Sequence, residues 1–342
     1  MPETMVVLTP NWLGDAVMAL PALAAVRRHD PDAALIVAAR PSTAALFRMV
    51  PGVDRVLPLD ARSRRADAEA LARISADRAL LLPNSFGSAW AARGAGIAER
   101  WGYASDFRRL LLTKAIGKPR GRMHQSEYYL ALVSALGMAP TGERPRIVVP
   151  DEAIGRAAGL LAKHGIGVGT AIVGMAPGAA YGGAKQWPPV RFGRLAQLLY
   201  ERHGVVSVLV GAGGDRSAGL EIEPGPHVVD LIGQTDLAVL AGVMARARAF
   251  VSNDSGAMHM AAAAGLPVTA IFGATDERAT APLAAAAASA PAHEILTSDV
   301  FCRPCMLREC PIDHRCMKRI APERVCEAVE RQLAAAPATG EP

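Results

Sequence analysis

Two short polar turns in this chain carry residue types suited to holding an anion and to moving a proton. Asn253-Asp254-Ser255-Gly256 follows the apolar run Ala249–Ser252 and precedes a helical stretch that contains His259. Free backbone N–H groups and the helix dipole favour anions at such a helix start. One polar residue is enough for a cap, so four polar or flexible residues followed by a histidine predict a ligand site, with a plain capping turn as the alternative.

Asp15 ends the second turn, Asn11-Trp12-Leu13-Gly14-Asp15, which follows the first apolar strand. A carboxylate at a helix start either caps the helix or serves as a base that takes a proton from a hydroxyl. Leu82-Pro83-Asn84-Ser85-Phe86 ends another strand of the same half. Its amide and hydroxyl groups suit a polyol or sugar, and turn formation explains them equally well.

Two glycine-containing loops follow strands of the second half. Ala176–Pro188 carries the single cation Lys185, and flexible backbone with one cation suits phosphate oxygens. The loop is not a P-loop, because it lacks a Gly-Lys-Ser/Thr ending, and no GxGxxG follows the first strand, which argues against a dinucleotide oxidoreductase. Val210–Asp215 ends the next strand, where Asp215 either binds ribose hydroxyls or is simply a charged loop residue.

Four cysteines form the pattern Cys302-x2-Cys305-x4-Cys310-x5-Cys316, with His314 nearby. In a cytoplasmic protein such clustering favours a metal over disulfides. The spacing is tighter than in a usual zinc ribbon, so a structural zinc, reduced thiols, disulfides and an iron–sulfur cluster all stay open. No Cys/His arrangement for nucleophilic catalysis is evident.

The elements that must position these residues alternate between strand and helix in both halves, which predicts an α/β protein with parallel sheets. The 342 residues suggest about two domains, and the Pro/Gly-containing segment 137–150 is the best linker, so we expect domains at 1–150 and 151–342. The predicted strands are Met5–Thr9, Ala34–Ala38, Val53–Leu57, Ala79–Leu82, Ala171–Met175, Val205–Val210, Ala249–Ser252 and Val268–Phe272. The predicted helices are Asp15–Arg28, Ser42–Met49, Ala66–Ile74, Glu127–Leu136, Pro189–His203, Leu237–Ala245, Ala257–Ala264 and Pro322–Ala335.

The positive charge is concentrated in the first half. Residues 1–150 hold 20 Lys and Arg against 13 Asp and Glu, whereas residues 151–342 hold 17 against 19. The densest stretch, Arg100–Arg122, suits nucleic acid, an anionic membrane or a phosphorylated substrate, or else is a solvated helix face. No apolar run of about 18 residues is present and the amino terminus does not read as a signal peptide, so a cytoplasmic protein is expected.

Four motifs together resemble the ADP-heptose:lipopolysaccharide heptosyltransferases of glycosyltransferase family 9. They are NWLGDAVMALPAL, LPNSF, PGAAYGGAKQWP and SNDSGAMHMAAAAG, and they occur in the family's order over nearly the whole chain. LPNSF and the lysine loop favour the type II branch. The cysteine cluster resembles one found in only part of the family and is therefore not read as catalytic.

The resemblance implies a GT-B fold, in which two Rossmann-like doubly wound domains face each other across a cleft. The first would bind the acceptor and the second the nucleotide sugar, and the last helix, 322–335, is expected to pack back on the first domain. The implied reaction is an inverting transfer of L-glycero-D-manno-heptose from ADP-heptose to the first heptose of the lipopolysaccharide inner core.

The resemblance also assigns roles to residues. Asp15 matches the general base, and Lys185 matches the lysine that contacts the donor phosphate and sugar. The other expected donor-binding residues are Gly178, Ala179, Asp215, Asp254, Ser255, Gly256, Met258 and His259. The expected acceptor-binding residues are Asn84, Ser85, Phe86, Arg108, Arg109, Arg120 and His124.

The expected partners are ADP-heptose, the lipopolysaccharide acceptor and the inner face of the inner membrane, and not nucleic acid. The sequence has no DxD-type carboxylate pair in a suitable place, so it requires no divalent cation for catalysis. The cysteine cluster suggests a structural zinc. Alternatives are a family member with another acceptor, a GT-B sugar-nucleotide 2-epimerase, and a non-catalytic ADP-sugar or lipopolysaccharide-binding module. The epimerase would need further carboxylates, and a binding module has no need of Asp15.

Overall fold

A computed structural model of the chain describes residues 3–60, 63–284 and 293–335. The chain divides into two compact units, Met1–Val148 and Val149–Pro342. This division falls close to the boundary expected after residue 150. Among the described residues, no helix is both long enough and apolar enough to cross a membrane.

The first unit is a parallel sheet with helices between its strands, in the order β3-β2-β1-β4-β5-β6. The register places Val6 beside Ile36 on one side and Ala79 on the other. The strands are β1 (Thr4–Leu8), β2 (Ala34–Ala39), β3 (Arg55–Pro58), β4 (Arg78–Leu81), β5 (Glu99–Tyr103) and β6 (Lys114–Ile116). The helices are α1 (Leu13–Met18), α2 (Leu20–His29), α3 (Pro41–Phe47), α4 (Arg64–Ala72), α5 (Phe86–Gly94) and α6 (Gln125–Ala135).

The single helix predicted over Asp15–Arg28 is two helices, α1 and α2, which meet at Ala19. Pro21 causes the break, because it lacks the N–H that a continuous helix would donate to Val17. At the start of α2 the same residue is tolerated, since the first N–H groups of a helix have no partner within it. The break leaves Asp15 in the first turn of a short helix of its own.

The basic stretch Arg100–Arg122 is not a helix face, so that interpretation is wrong. It contains most of β5, a 3₁₀ turn at Arg109–Leu111, and β6. Trp101 and Tyr103 are buried in the sheet, and the Lys114 ammonium lies 4.1 Å from the centre of the Trp101 ring. Aromatic residues are frequent in strands, so Trp101 and Tyr103 indicate the secondary structure of this stretch better than its charge density does.

The second unit repeats the topology, with the parallel order β12-β11-β10-β7-β8-β9. Its strands are β7 (Ile172–Ala176), β8 (Val206–Leu209), β9 (Val228–Asp230), β10 (Ala249–Asn253), β11 (Val268–Ile271) and β12 (Glu294–Leu296). Its helices are α7 (Asp151–Lys163), α8 (Pro189–His203), α9 (Arg216–Leu220), α10 (Leu237–Arg246), α11 (Gly256–Ala263), α12 (Glu277–Thr280), α13 (Arg315–Lys318) and α14 (Pro322–Ala335). Both sheets match the doubly wound α/β architecture expected from the sequence.

Helix α14 packs against α8, β10 and β11 of its own unit. Its buried residues Val325, Ala328 and Val329 join a core cluster that includes Phe192, Leu199 and other side chains of the second sheet. This packing accounts for the apolar face of α14, so no contact with the first domain is needed to bury it.

Helices α7 and α10 pack closely at Gly242. A Cβ atom built on Gly242 would lie 2.3 Å from the Ala153 carbonyl oxygen and 2.7 Å from the Ala157 Cβ. We therefore expect Gly242→Ala to destabilise the second unit by about 1–3 kcal/mol, since the helices must separate. The measurement is chemical denaturation followed by circular dichroism.

Gly159→Ala on α7 is the matched control, because nothing lies within 4 Å of a Cβ at that exposed position. It should leave stability unchanged or raise it by up to about 1 kcal/mol through helix propensity. Equal stability for the two variants would contradict close packing at Gly242.

Candidate functional site

In the first unit, the loops after β1 and β4 leave the sheet where the strand order reverses, because β2 follows on one side and β4 lies on the other. Such a switch point is where open α/β sheets bind ligands. Asp15, half-buried in the first turn of α1, follows β1. Burial raises the pKa of Tyr129 on α6, and the negative charge of Asp15 adds to that effect. Asp15 and Tyr129 therefore lie near each other at this point.

Asn84 and Ser85 follow β4 and already have partners in the protein. The Asn84 amide donates to the Tyr128 hydroxyl at 2.9 Å, and the Ser105 hydroxyl donates to the Asn84 backbone carbonyl at 3.0 Å. The Ser85 hydroxyl caps α5 by accepting from the Ser88 N–H. Ser85 and Phe86 are both exposed, so they are more accessible than Asn84.

Arg108 is not available to a ligand, which corrects its assignment as an acceptor contact. Its side chain is fully buried, and it donates to the Tyr103 carbonyl at 2.9 Å, the Ser88 hydroxyl at 3.1 Å and the Pro83 carbonyl. Burial lowers the pKa of Arg108 to about 10. The guanidinium ties the segment after β4 to the segment after β5, so its role is structural.

The remaining predicted acceptor residues divide into one buried cap and two exposed cations. His124 is the N-cap of α6, where its Nδ1 accepts from the Ser126 N–H at 3.1 Å and Glu127 completes a capping box. Arg109 and Arg120 are exposed. His124 therefore has a structural role, whereas the two arginines stay available to a ligand.

A cavity of about 260 Å³ lies at the carboxyl edge of the first sheet, and its lining includes Thr9, Arg40, Arg64 and Ser88. Arg40 bonds to the Asp67 carboxylate at 2.9 Å, and burial raises the pKa of Asp67 despite that arginine. Sequence reasoning missed both arginines. Arg40 comes directly after β2, and the rule that ligands meet the carboxyl ends of parallel strands could have identified it.

In the second unit, the corresponding switch point lies between β7 and β10, and an ion pair occupies it. The Lys185 ammonium lies 2.6 Å from Asp254 Oδ2. The Thr275 hydroxyl, which follows β11, donates to the same oxygen at 2.7 Å. Asp254 is 6 % exposed, so its carboxylate orients Lys185 and has little surface of its own for a donor.

The loop that carries Lys185 is held by Asn253, at the end of β10. Asn253 is fully buried, and its amide donates to the Pro177 carbonyl while its Oδ1 accepts from the Trp187 N–H, both at 2.9 Å. The Lys185 ammonium also lies 4.7 Å from the centre of the Tyr181 ring. The sequence places Asn253 in a turn predicted to bind a ligand and does not indicate Thr275, because the partners of both residues are distant along the chain.

Gly178 and Asp215 meet where the loops after β7 and β8 adjoin. A Cβ on Gly178 would lie 2.1 Å from Asp215 Oδ1, so only glycine fits there. Asp215 Oδ2 accepts from the Ala212 N–H at 2.9 Å. Ala179 follows, half-buried, between Gly178 and the lysine turn. These residues lie at the carboxyl edge of the second sheet, as Lys185 does.

Helix α11 begins beside this ion pair. Ser255 is its N-cap, accepting from the Met258 N–H, and Gly256 is its first residue, where N–H groups point beyond the helix end. The side chains of Met258 and His259 are 0 % and 4 % exposed. Their side chains are buried, so a contact with the donor stays a prediction, and the N–H groups at the helix start are the groups suited to an anion.

The four clustered cysteines are free thiols that line one small cavity of about 20 Å³ with Gly273 and Arg303. Burial raises the pKa of the Cys316 thiol, and the His314 N–H donates to Cys310 Sγ at 3.3 Å. Within residues 3–60, 63–284 and 293–335, no three His, Cys, Asp or Glu side chains are placed to hold a metal ion. The structural zinc stays a prediction.

The segment that carries these cysteines docks onto the lysine loop. The Tyr181 hydroxyl donates to the Met306 carbonyl at 3.0 Å, and the Ala184 N–H donates to the Arg308 carbonyl at 2.9 Å. The Arg303 guanidinium donates to the Gly273 carbonyl at 3.0 Å, two residues before Thr275. The segment therefore contacts both the loop that carries Lys185 and the loop that carries Thr275.

Comparison with known proteins identifies clear relatives. The family model for glycosyltransferase family 9 (heptosyltransferase) matches residues 64–315. The chain is 30 % identical over 301 residues to lipopolysaccharide heptosyltransferase 2 of Escherichia coli K12, covering 82 % of this chain and 85 % of the relative. It is 27 % identical over 331 residues to lipooligosaccharide heptosyltransferase 2 of Campylobacter jejuni serotype O:6, covering 94 % and 96 %.

The fold agrees with a solved structure, that of E. coli ADP-heptose lipopolysaccharide heptosyltransferase II. The TM-score is 0.82 at 27 % identity, and the match covers 97 % of this chain and 98 % of the other.

Thr275→Val tests whether the Thr275 hydroxyl orients the ion pair. The change keeps the side-chain shape but removes a hydrogen bond to a buried carboxylate, worth about 1.5–3 kcal/mol. We expect affinity for ADP, the leaving group implied by the resemblance, to fall by about tenfold, measured by isothermal titration calorimetry. Thr280→Val is the matched control, because the Thr280 hydroxyl is buried without a hydrogen bond in the described residues. Equal ADP affinities for the two variants would refute the orienting role.

Proposed function

Because the chain belongs to glycosyltransferase family 9, the heptosyltransferases, we propose that it transfers L-glycero-D-manno-heptose from ADP-heptose to the first heptose of the lipopolysaccharide inner core. The observation that carries the proposal is Lys185, held by Asp254 beside the start of α11. Relatives named heptosyltransferase 2 support the choice of acceptor.

The second unit is proposed to hold the donor. When the bond between the sugar and ADP breaks, negative charge develops on the departing diphosphate, and preorganised positive groups lower the barrier. Lys185 supplies one such group, and an ammonium has three N–H donors, of which Asp254 takes one. The N–H groups at the start of α11 supply a second source of positive potential.

The first unit is proposed to hold the acceptor and to supply the base. The acceptor hydroxyl attacks the anomeric carbon from the face opposite to ADP, its proton passes to the Asp15 carboxylate, and ADP departs with the electrons of the broken bond. This single displacement inverts the anomeric configuration. Arg64 in the cavity beside β1, together with exposed Arg109 and Arg120, suits an acceptor that carries phosphate or carboxylate groups.

The proposed place of the reaction is the inner face of the inner membrane, with the protein bound peripherally. The acceptor is a glycolipid, so the enzyme must work at a lipid surface. The concentration of positive charge in residues 1–150 supports this location, because cytoplasmic leaflets carry anionic lipids.

The acceptor is tested by incubating the purified protein with ADP-heptose and defined core acceptors that carry no, one or two heptoses. We expect product, detected by mass spectrometry, only with the one-heptose acceptor, and equally in the presence of a metal chelator. Transfer to the heptose-free or two-heptose acceptor alone would assign a different acceptor, and ADP-sugar binding without transfer would favour a binding module.

Asp15→Asn tests the proposed base. The amide cannot accept the proton, so kcat should fall by at least about 100-fold, whereas ADP affinity should stay unchanged because the donor residues lie in the other unit. Kinetics and calorimetry measure the two quantities. Asp32→Asn, at an exposed position of the same unit, is the control and should behave as the unmodified protein. Near-normal turnover of the Asp15 variant would refute the assignment.

A further inference from the structure

The turn that follows β5 presents two large apolar side chains to solvent. Phe107 is 99 % exposed and Leu110 is 87 % exposed. Single exposed apolar residues are common on protein surfaces and need no explanation. Two of them within four residues, in a turn that the protein holds in place, do need one.

The turn is built rather than loose. Asp106 and Phe107 both have positive φ angles, 50° and 59°, a conformation that is costly for residues other than glycine and unusual for a bulky one. Arg108, between the two exposed side chains, is buried and donates hydrogen bonds to Tyr103, Pro83 and Ser88. The buried guanidinium therefore holds the turn while Phe107 and Leu110 point away from the protein.

Two exposed arginines and one exposed acid, Asp106, surround the two apolar side chains, beside the proposed acceptor residues. Arg109 is exposed between Phe107 and Leu110, and the Arg93 guanidinium donates to the Leu110 carbonyl at 3.4 Å. The Ser105 hydroxyl, at the start of the turn, donates to the Asn84 carbonyl. Trp12, which follows β1 at the same edge of the sheet, is 61 % exposed.

We propose that Phe107 and Leu110 form a wedge that inserts into an anionic lipid bilayer and docks the first unit there. Apolar side chains next to cations suit this surface, because they enter the acyl boundary while the cations meet anionic headgroups. Aromatic residues are favoured at the same level of a membrane. The inference rests on the proposed function, since a glycolipid acceptor brings the acceptor residues to a bilayer.

The test of binding is co-flotation of the full-length protein with vesicles of phosphatidylcholine, with or without about one third phosphatidylglycerol. The unmodified protein should bind the anionic vesicles, bind the neutral ones less, and be released as salt rises. The double variant Phe107→Ser/Leu110→Ser should bind the anionic vesicles at least about tenfold more weakly, because it lacks the two apolar side chains that would be buried in the bilayer.

Val168→Ser/Leu220→Ser is the matched control. These side chains are 87 % and 80 % exposed in the second unit, so the control removes comparable apolar surface away from the turn. It should bind vesicles as the unmodified protein does. Equal loss in the two double variants, or no vesicle binding by the unmodified protein, would overturn the proposal.

Transfer assays separate the wedge from its alternatives. With a deacylated, soluble acceptor the wedge variant should keep its kcat and KM, whereas with acceptor embedded in anionic vesicles its apparent KM should rise about tenfold. An equal loss on the soluble acceptor would mean that the side chains touch the acceptor itself. A change of oligomeric state in light scattering would mean that the turn joins copies of the chain. Either result overturns the proposal.

Failure of the wedge and failure of the proposed function are distinguishable. Transfer to the soluble acceptor without vesicle binding would refute the wedge and leave the function standing. Vesicle binding through the turn without any heptose transfer would refute the function and leave the wedge standing.

Discussion

The candidate site of the second unit depends on one carboxylate oxygen. Asp254 Oδ2 accepts from both Lys185 and Thr275, and these three residues follow three different strands of one parallel sheet. Taking a lysine and an aspartate out of water is unfavourable unless each is well paired. The short ion pair and the added hydroxyl satisfy that condition. Asp254 Oδ2 therefore holds the three loops together and also orients the Lys185 ammonium.

The two units share a strand order but use buried charge differently. In the second unit the buried ion pair lies at the switch point itself, where a ligand is expected. In the first unit the buried cation is Arg108, which bonds to backbone carbonyls and holds two loops together. Asp15, half-buried at that switch point, is close enough to Tyr129 to influence its pKa. The same topology thus places a buried ion pair at the switch point of one unit and a carboxylate at that of the other.

The sequence allowed the fold class and most elements to be predicted, because buried parallel strands are short apolar runs bounded by glycine and proline. Pro189–His203 is predicted with its observed ends and α14 with its observed start at Pro322, since proline starts both helices. The missed elements have weaker signals. Strand β6 is only three residues long, and α7 follows a proline-rich segment that was read as linker alone. Charge density concealed β5, whose buried aromatic residues were the better guide.

Motifs identified the charged residues of the candidate site more readily than the residues that hold them. Lys185 and Asp254 stand out locally, whereas the roles of Asn253, Thr275 and Arg303 depend on contacts with distant parts of the chain. For the same reason the cysteine spacing suggested a metal but not the contact between that segment and the lysine loop. Because Ala184 and Tyr181 bond to the backbone at Arg308 and Met306, any change in the thiols that moves this segment must also move Lys185. The cysteine segment therefore belongs to the architecture of the candidate site in the second unit, whether or not its thiols bind a metal.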